Sequence, residues 1–226
     1  MRDFFVNGEG TLTGAGYGSV IAIGIVLLLI ASFIAGRNSE NKINTRQLTY
    51  CSLSIAIAFI MSYVKFLPMP FGGSLTLCSM LFVVLPAYWY GVIPGVLVGF
   101  VYGILQFIQE PYVLTFFQVC CDYLFAFAAL GLAGLFTERK HGLIIGYIVG
   151  IIARGAFHTL GGYMFWMDYM PESFPRAIAG IYPICYNYSF ILGEGILTII
   201  LLSIPAVRNS IDRITIMARG GDNKTD

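Results

Sequence analysis

Residues 117–136 read FQVCCDYLFAFAALGLAGLF, twenty positions of which all but a few are apolar, with one acid, Asp122, a third of the way along. A run of this length and composition is long enough to cross a hydrocarbon core of about 30 Å as a helix. A carboxylate near the middle of such a helix costs about 3 kcal/mol, so its presence points to a functional site with a partner. Outward from this segment the chain stays apolar: 58% of its 226 residues are hydrophobic and 11% charged, far from the roughly 25% charged residues of a soluble domain. The reading is an all-α integral membrane protein, with no stretch polar and long enough to fold as a separate soluble domain.

A first apolar run, GSVIAIGIVLLLIASFIAG, covers residues 18–36, preceded by Asp3 and Glu9 and followed by Arg37, Lys42 and Arg46. A cleaved signal peptide carries the opposite flanks, so the run reads as a retained anchor with its N-terminus outside. Further spans are expected at about 48–66, 75–90, 92–110, 113–136, 141–166 and 180–207, which leaves the C-terminus in the cytoplasm. Arg139, Lys140, Arg208, Arg213 and Arg219 then fall inside and Lys65 and Arg176 outside, in keeping with the positive-inside bias. The expected organisation is an anchor segment 1–36, a cytoplasmic linker 37–47, a six-helix core 48–207 and a polar cytoplasmic tail 208–226. The two proline and two glycine residues of LPMPFGGSLT leave a re-entrant loop open between the second and third spans.

Net charge of +1 excludes the basic face of a nucleic-acid binder. Five cysteines (Cys51, Cys78, Cys120, Cys121, Cys185) lie in apolar segments without a C-x-x-C pair and read as packing residues. Glycines recur every fourth residue at 91, 95, 99 and 103 and at 142, 146 and 150. Such rows let helix backbones approach closely, within this chain or against a separate subunit.

Three ionisable residues fall well inside spans: Asp122, Arg154 and Glu194. Arg154 can neutralise one carboxylate, Glu194 or Asp122, and Arg154 with Glu194 is the structural charge pair expected. The remaining carboxylate either takes up a proton or awaits a cation. Around Asp122 the sequence places Tyr112, Gln118 and Tyr123; His158 and Trp166 follow in the next span, eight residues and about 12 Å apart on one broad face. Tyr182, Tyr186 and Asn187 open the last span, and Asn187 lies seven residues, two turns, before Glu194. Aromatic faces, an imidazole, an amide and a carboxylate together suit a flat, positively charged heteroaromatic ligand with an amino group.

The segments QVCCDYLFAFAALGLAGLF, FHTLGGYMFW and IYPICYNYSFILGEGIL, in this order, resemble the thiamine-specific S component of the energy-coupling-factor vitamin transporters over about residues 45–207. That resemblance implies a six-helix S-component bundle, here with one extra N-terminal transmembrane helix, in a bacterial cell membrane. It implies a thiamine pocket formed by Tyr112, Asp122, Tyr123, His158, Trp166, Tyr182 and Asn187. Asp122 and Asn187 would hydrogen-bond the aminopyrimidine, Tyr123 would help orient the acid, and His158, Trp166 and Tyr182 would sandwich the rings. The family's small-x-x-x-small docking motif falls on Ser52 and Ala56, toward a membrane scaffold subunit that works with two ATPase subunits. No cofactor and no metal is implied, and the chain carries no G-x-x-x-x-G-K-[ST] phosphate loop. A sister S component for another vitamin, or an autonomous proton- or sodium-coupled transporter, is the alternative; H-E-x-x-H and G-x-S-x-G enzyme motifs are absent.

Overall fold

The computed structural model describes residues 44–221 except Phe71, so the expected anchor over 1–36 and most of the linker lie outside the described residues. Helix α1 (Thr45–Ser62) starts where the Asn44 side chain accepts a hydrogen bond from Gln47 N at 2.8 Å, an N-cap. A hairpin follows, β1 (Lys65–Pro68) antiparallel to β2 (Ser74–Thr76). Then come α2 (Ser79–Tyr90), α3 (Val92–Gln109), α4 (Phe116–Phe136), α5 (Gly142–Tyr169), α6 (Arg176–Ser203) and α7 (Pro205–Arg219).

Helices α3 to α6 are each long and apolar enough to span a bilayer. The stretch expected to span at 75–90 does not fold as one long helix. Its first residues belong to β2, and the 12 residues of α2 reach only about 18 Å, short of a hydrocarbon core of about 30 Å. Pro68, Pro70, Gly72 and Gly73 account for this. Pro68 and Pro70 keep the chain after α1 out of a helix, and the two glycines adopt φ of +89° and +81°, which closes the hairpin.

Both glycine rows pack within the chain. A Cβ at Gly99 would overlap the carbonyl oxygen of Phe127, and one at Gly103 that of Tyr123, so the backbones of α3 and α4 are in direct contact. Gly146 and Gly150 bring α5 near the α4 carbonyls of Ala133 and Leu130, though less tightly, where a Cβ would sit at 2.7 and 3.2 Å. Helix α4 therefore lies between two helices that have given up side chains to reach it, and the buried Met80, Leu85, Tyr102, Leu130, Tyr147 and Ile191 fill the adjoining core.

The described part of the expected polar tail is helical as far as Arg219. Ile204 takes an extended conformation, Pro205 restarts the chain as the first residue of α7, and α7 turns Ile211 and Ala218 inward. The Trp89 indole donates to Thr215 Oγ1 (3.0 Å), Tyr90 Oη to Ala218 O (2.9 Å), and Arg219 to Tyr88 O (2.8 Å) and Thr137 O (3.0 Å). The polar residues that suggested a tail are the outer face of an amphipathic helix.

Candidate functional site

Two of the long helices depart from α geometry where the sequence places candidate site residues. Helix α4 widens into a π-helical turn over Cys120–Phe125, and α5 does so over Gly162–Trp166. Such widened turns recur at functional sites because they re-aim side chains without ending the helix. At about 100° per residue, the eight steps from His158 to Trp166 would overshoot two turns by about 80°. The π turn spends extra residues per turn and brings the two side chains back to the same target, Asp122.

That target is approached from three sides. Asp122 Oδ2 accepts from Gln118 Nε2 at 2.7 Å, one helical turn earlier, and from Trp166 Nε1 at 3.2 Å. Asp122 Oδ1 lies 3.1 Å from His158 Nδ1. Arg154 Nε donates to the other ring nitrogen, Nε2, at 3.4 Å. An acceptor at Nε2 leaves the ring proton on Nδ1, where it is donated to the acid. The His158 and Asp122 side chains are 11% and 13% exposed, reachable from a cavity but not from bulk solvent.

The Arg154–Glu194 pair expected from the sequence is not formed. Among the described residues the side-chain ion pair is Lys65–Glu110, and His158 meets Asp122 as a neutral hydrogen-bond donor. Glu194, 2% exposed, instead accepts from Thr76 Oγ1 (2.6 Å), Thr76 N (3.3 Å), Met80 N (2.8 Å) and Ser79 Oγ (3.2 Å). Thr76 ends β2, while Ser79 and Met80 open α2, where the helix dipole also favours a negative charge. Arg154 lies with its guanidinium carbon 4.3 Å from the centre of the Phe127 ring, a cation–π contact. Arg154 and Glu194 are neighbours in the wall of one cavity.

All seven sequence-derived ligand residues, Tyr112, Asp122, Tyr123, His158, Trp166, Tyr182 and Asn187, line a single cavity of about 480 Å³, with Arg154 and Glu194 also in its wall. Rings come from two groups. Tyr112 lies 4.9 Å from Trp166, which in turn lies 5.3 Å from Tyr169; on α6, Tyr182 lies 5.8 Å from Tyr186. Asn187 donates to Pro183 O (2.8 Å) and His158 O (3.2 Å), which uses both amide protons and leaves its carbonyl oxygen as the group offered to the cavity. Tyr123 differs from expectation. Its hydroxyl donates to Glu110 O (2.7 Å) and accepts from Tyr112 N (2.9 Å), so it fixes the loop that carries Tyr112, while Gln118, His158 and Trp166 orient the acid.

The sequence reading missed the hairpin as a cavity wall, although Met69, Gly72, Ser74 and Thr76 all contribute. It also missed Lys65, Gln106 and Gln109 at the ends of β1 and α3. A hairpin signal was present in the paired glycines, but the apolar residues around them match a helical span equally well. Ser52 and Ala56 are not part of the cavity; both are exposed on α1.

A family model described as thiamine transporter protein (Thia_YuaJ) matches residues 48–212. The chain is similar to the thiamine transporter ThiT of Bacillus subtilis (strain 168), 29% identical over 172 residues, covering 67% of this chain and 85% of that protein. It is also similar to the thiamine transporter ThiT of Lacticaseibacillus paracasei, 28% identical over 131 residues, covering 50% of this chain and 64% of that protein. Among solved structures, ThiT from Listeria monocytogenes, phased by native SAD, superposes with a TM-score of 0.52 at 20% identity over 77% of this chain and 93% of that one. That likeness shows the same fold.

Proposed function

The chain belongs to the thiamine transporter protein family, and from that premise we propose that it is the membrane subunit that captures thiamine from outside the cell and releases it inward when coupled to an ATP-driven module. The observation that carries this reading is Asp122, an acid facing an aromatic-lined cavity with donors on both of its oxygens.

Charge counting supports a cationic ligand. Asp122 and Glu194 contribute two negative charges and Arg154 one positive, His158 is neutral in the tautomer described, and Lys65 with Glu110 cancel. The wall is left with one negative charge, which a thiazolium would balance. The aminopyrimidine would lie against Asp122 and the carbonyl oxygen of Asn187, with its amino group donating to both. The rings of His158, Trp166 and Tyr182 would hold the faces of the ligand, where a cation also gains from the aromatic quadrupoles. A flat neutral vitamin would gain nothing from the surplus charge.

Coupling would occur elsewhere on the surface. Ser52 and Ala56 stand on an exposed face of α1 beside Leu53 and Ile60. That small-residue row would admit close contact with the scaffold subunit of an energy-coupling-factor module, whose two ATPase subunits would supply the energy. The end of the bundle that carries α7 would be cytoplasmic and the end that carries the hairpin would face outside.

Intrinsic fluorescence tests the ligand. Of the two tryptophans, Trp89 is 5% exposed and held by Thr215 of α7, whereas Trp166 lines the cavity. Thiamine is expected to quench a large share of the emission saturably, riboflavin and biotin to leave it unchanged, and Trp166→Phe to remove the response. A flat titration, with calorimetry also flat, would withdraw the assignment.

A further inference from the structure

The hairpin that walls the cavity is too small to hold itself in place. Four residues paired with three make a marginal ladder in isolation, so its position is set by what it touches. Helix α6 meets it at every fourth residue of one face. Tyr186 Oη donates to Gly72 O (3.1 Å), and the Phe190 ring lies so close to Gly73 that a Cβ there would sit 2.8 Å from it. Glu194 holds Thr76 by both its backbone N–H and its hydroxyl. Through Ser79 and Met80, the same carboxylate holds the first turn of α2.

We propose that Glu194 is a positioning residue for the cavity, fastening β2 and the start of α2 to α6 so that the hairpin wall stays closed against a bound ligand. The consequence for binding rests on the cavity being the thiamine site proposed above. Glu194 makes these contacts in place of an ion pair with Arg154. Its value lies in having only acceptors. Thr76 donates to Oε2, and Ser79 and Met80 donate to Oε1, so a glutamine turned either way sets an N–H₂ group against donors.

The test compares Glu194→Gln, Thr76→Val and Thr76→Ser by hydrogen exchange on the full-length, ligand-free protein in detergent. The reporters are Met69 N–H and Leu77 N–H, bonded to Gly73 O and Val64 O at 3.1 Å each. Glu194→Gln and Thr76→Val are expected to speed hairpin exchange about tenfold or more, with α3 and α5 unchanged and Thr76→Ser restoring parental rates. Thiamine dissociation should accelerate in step while its association rate holds. Hairpin exchange that is unchanged, or that rises equally throughout the bundle, would overturn the proposal. Should Glu194→Gln fail to fold, Thr76→Val decides. If no variant and not the parent binds thiamine, the ligand assignment falls while the exchange result still decides the role of Glu194.

Discussion

Asp122→Asn is expected to weaken thiamine binding by about a hundredfold or more while leaving the bundle folded. The carboxylate has donors against both oxygens: Gln118 and Trp166 on Oδ2 and His158 on Oδ1. An asparagine amide carries an N–H₂ group on one side, so in either orientation it faces a donor and one bond becomes a repulsion. Hydrogen bonds to a charged acceptor are worth about 1.5–3 kcal/mol each. The substitution also removes the negative charge that leaves the cavity with a surplus to meet a cation. A combined loss of about 3 kcal/mol corresponds to roughly two decades in affinity. Calorimetric titration of parent and variant measures it, with circular dichroism and size exclusion confirming that the variant is folded. A variant that binds within a few-fold of the parent would remove Asp122 from the ligand site.

The site was legible in the sequence to the extent that its chemistry resides in rare residues. A carboxylate, an imidazole, an amide and an indole in apolar helices stand out because a membrane interior makes each of them costly to keep. The structure brings Asp122, His158, Trp166 and Asn187 to one cavity. What the sequence could not show is where uncharged donors go. Counting charges paired Glu194 with Arg154, because a count sees formal charges and not the hydroxyls and backbone N–H groups that compensate a buried carboxylate equally well. Thr76 lies 118 residues from Glu194, and nothing local to either residue marks their meeting. The role that the resemblance gives Tyr123, orienting the acid, is likewise not visible in its hydrogen bonds: neighbours in a helix point in different directions, and its hydroxyl reaches back to Glu110 and Tyr112.

Hydropathy located the spans of α3 to α6 within a few residues because each is a long uninterrupted apolar run. It failed at residues 75–90, where apolar composition is shared between a short strand and a short helix, and window averages do not distinguish the two. After residue 207 it was silent about secondary structure. Charged residues at Arg208, Asp212 and Arg213 lowered the average, while Val207, Ile211, Ile214 and Ala218 kept a helical period that α7 uses to dock beneath Trp89 and Tyr90. After residue 207 the periodicity held the information and the composition hid it.

Gly103→Ala is expected to lower stability and binding together, which separates it from Asp122→Asn. An added Cβ at 103 would overlap the carbonyl oxygen of Tyr123, which lies in the π turn that also carries Asp122. The helix has little slack to absorb a methyl group there, because α5 is close to the same turn of α4, where a Cβ at Gly161 would sit 2.9 Å from Asp122 Oδ1. Either α3 moves away and opens gaps along Gly95 and Gly99, or the π turn relaxes and Asp122 loses its aim at His158 and Trp166. Overpacking of this kind costs about 1–3 kcal/mol, a fall of roughly 4–8 °C in Tm for a cost of about 2 kcal/mol in a chain of this size. A loss of thiamine affinity of about tenfold should accompany it. Gly180→Ala is the matched control, since a Cβ at Gly180 meets nothing within 4 Å, and it should melt and bind as the parent does. Thermal unfolding in detergent with parallel calorimetry reads both quantities. A Gly103→Ala variant that melted with the parent would mean that α3 and α4 stand farther apart than backbone contact, and the close packing that holds the acid in place would have to come from elsewhere.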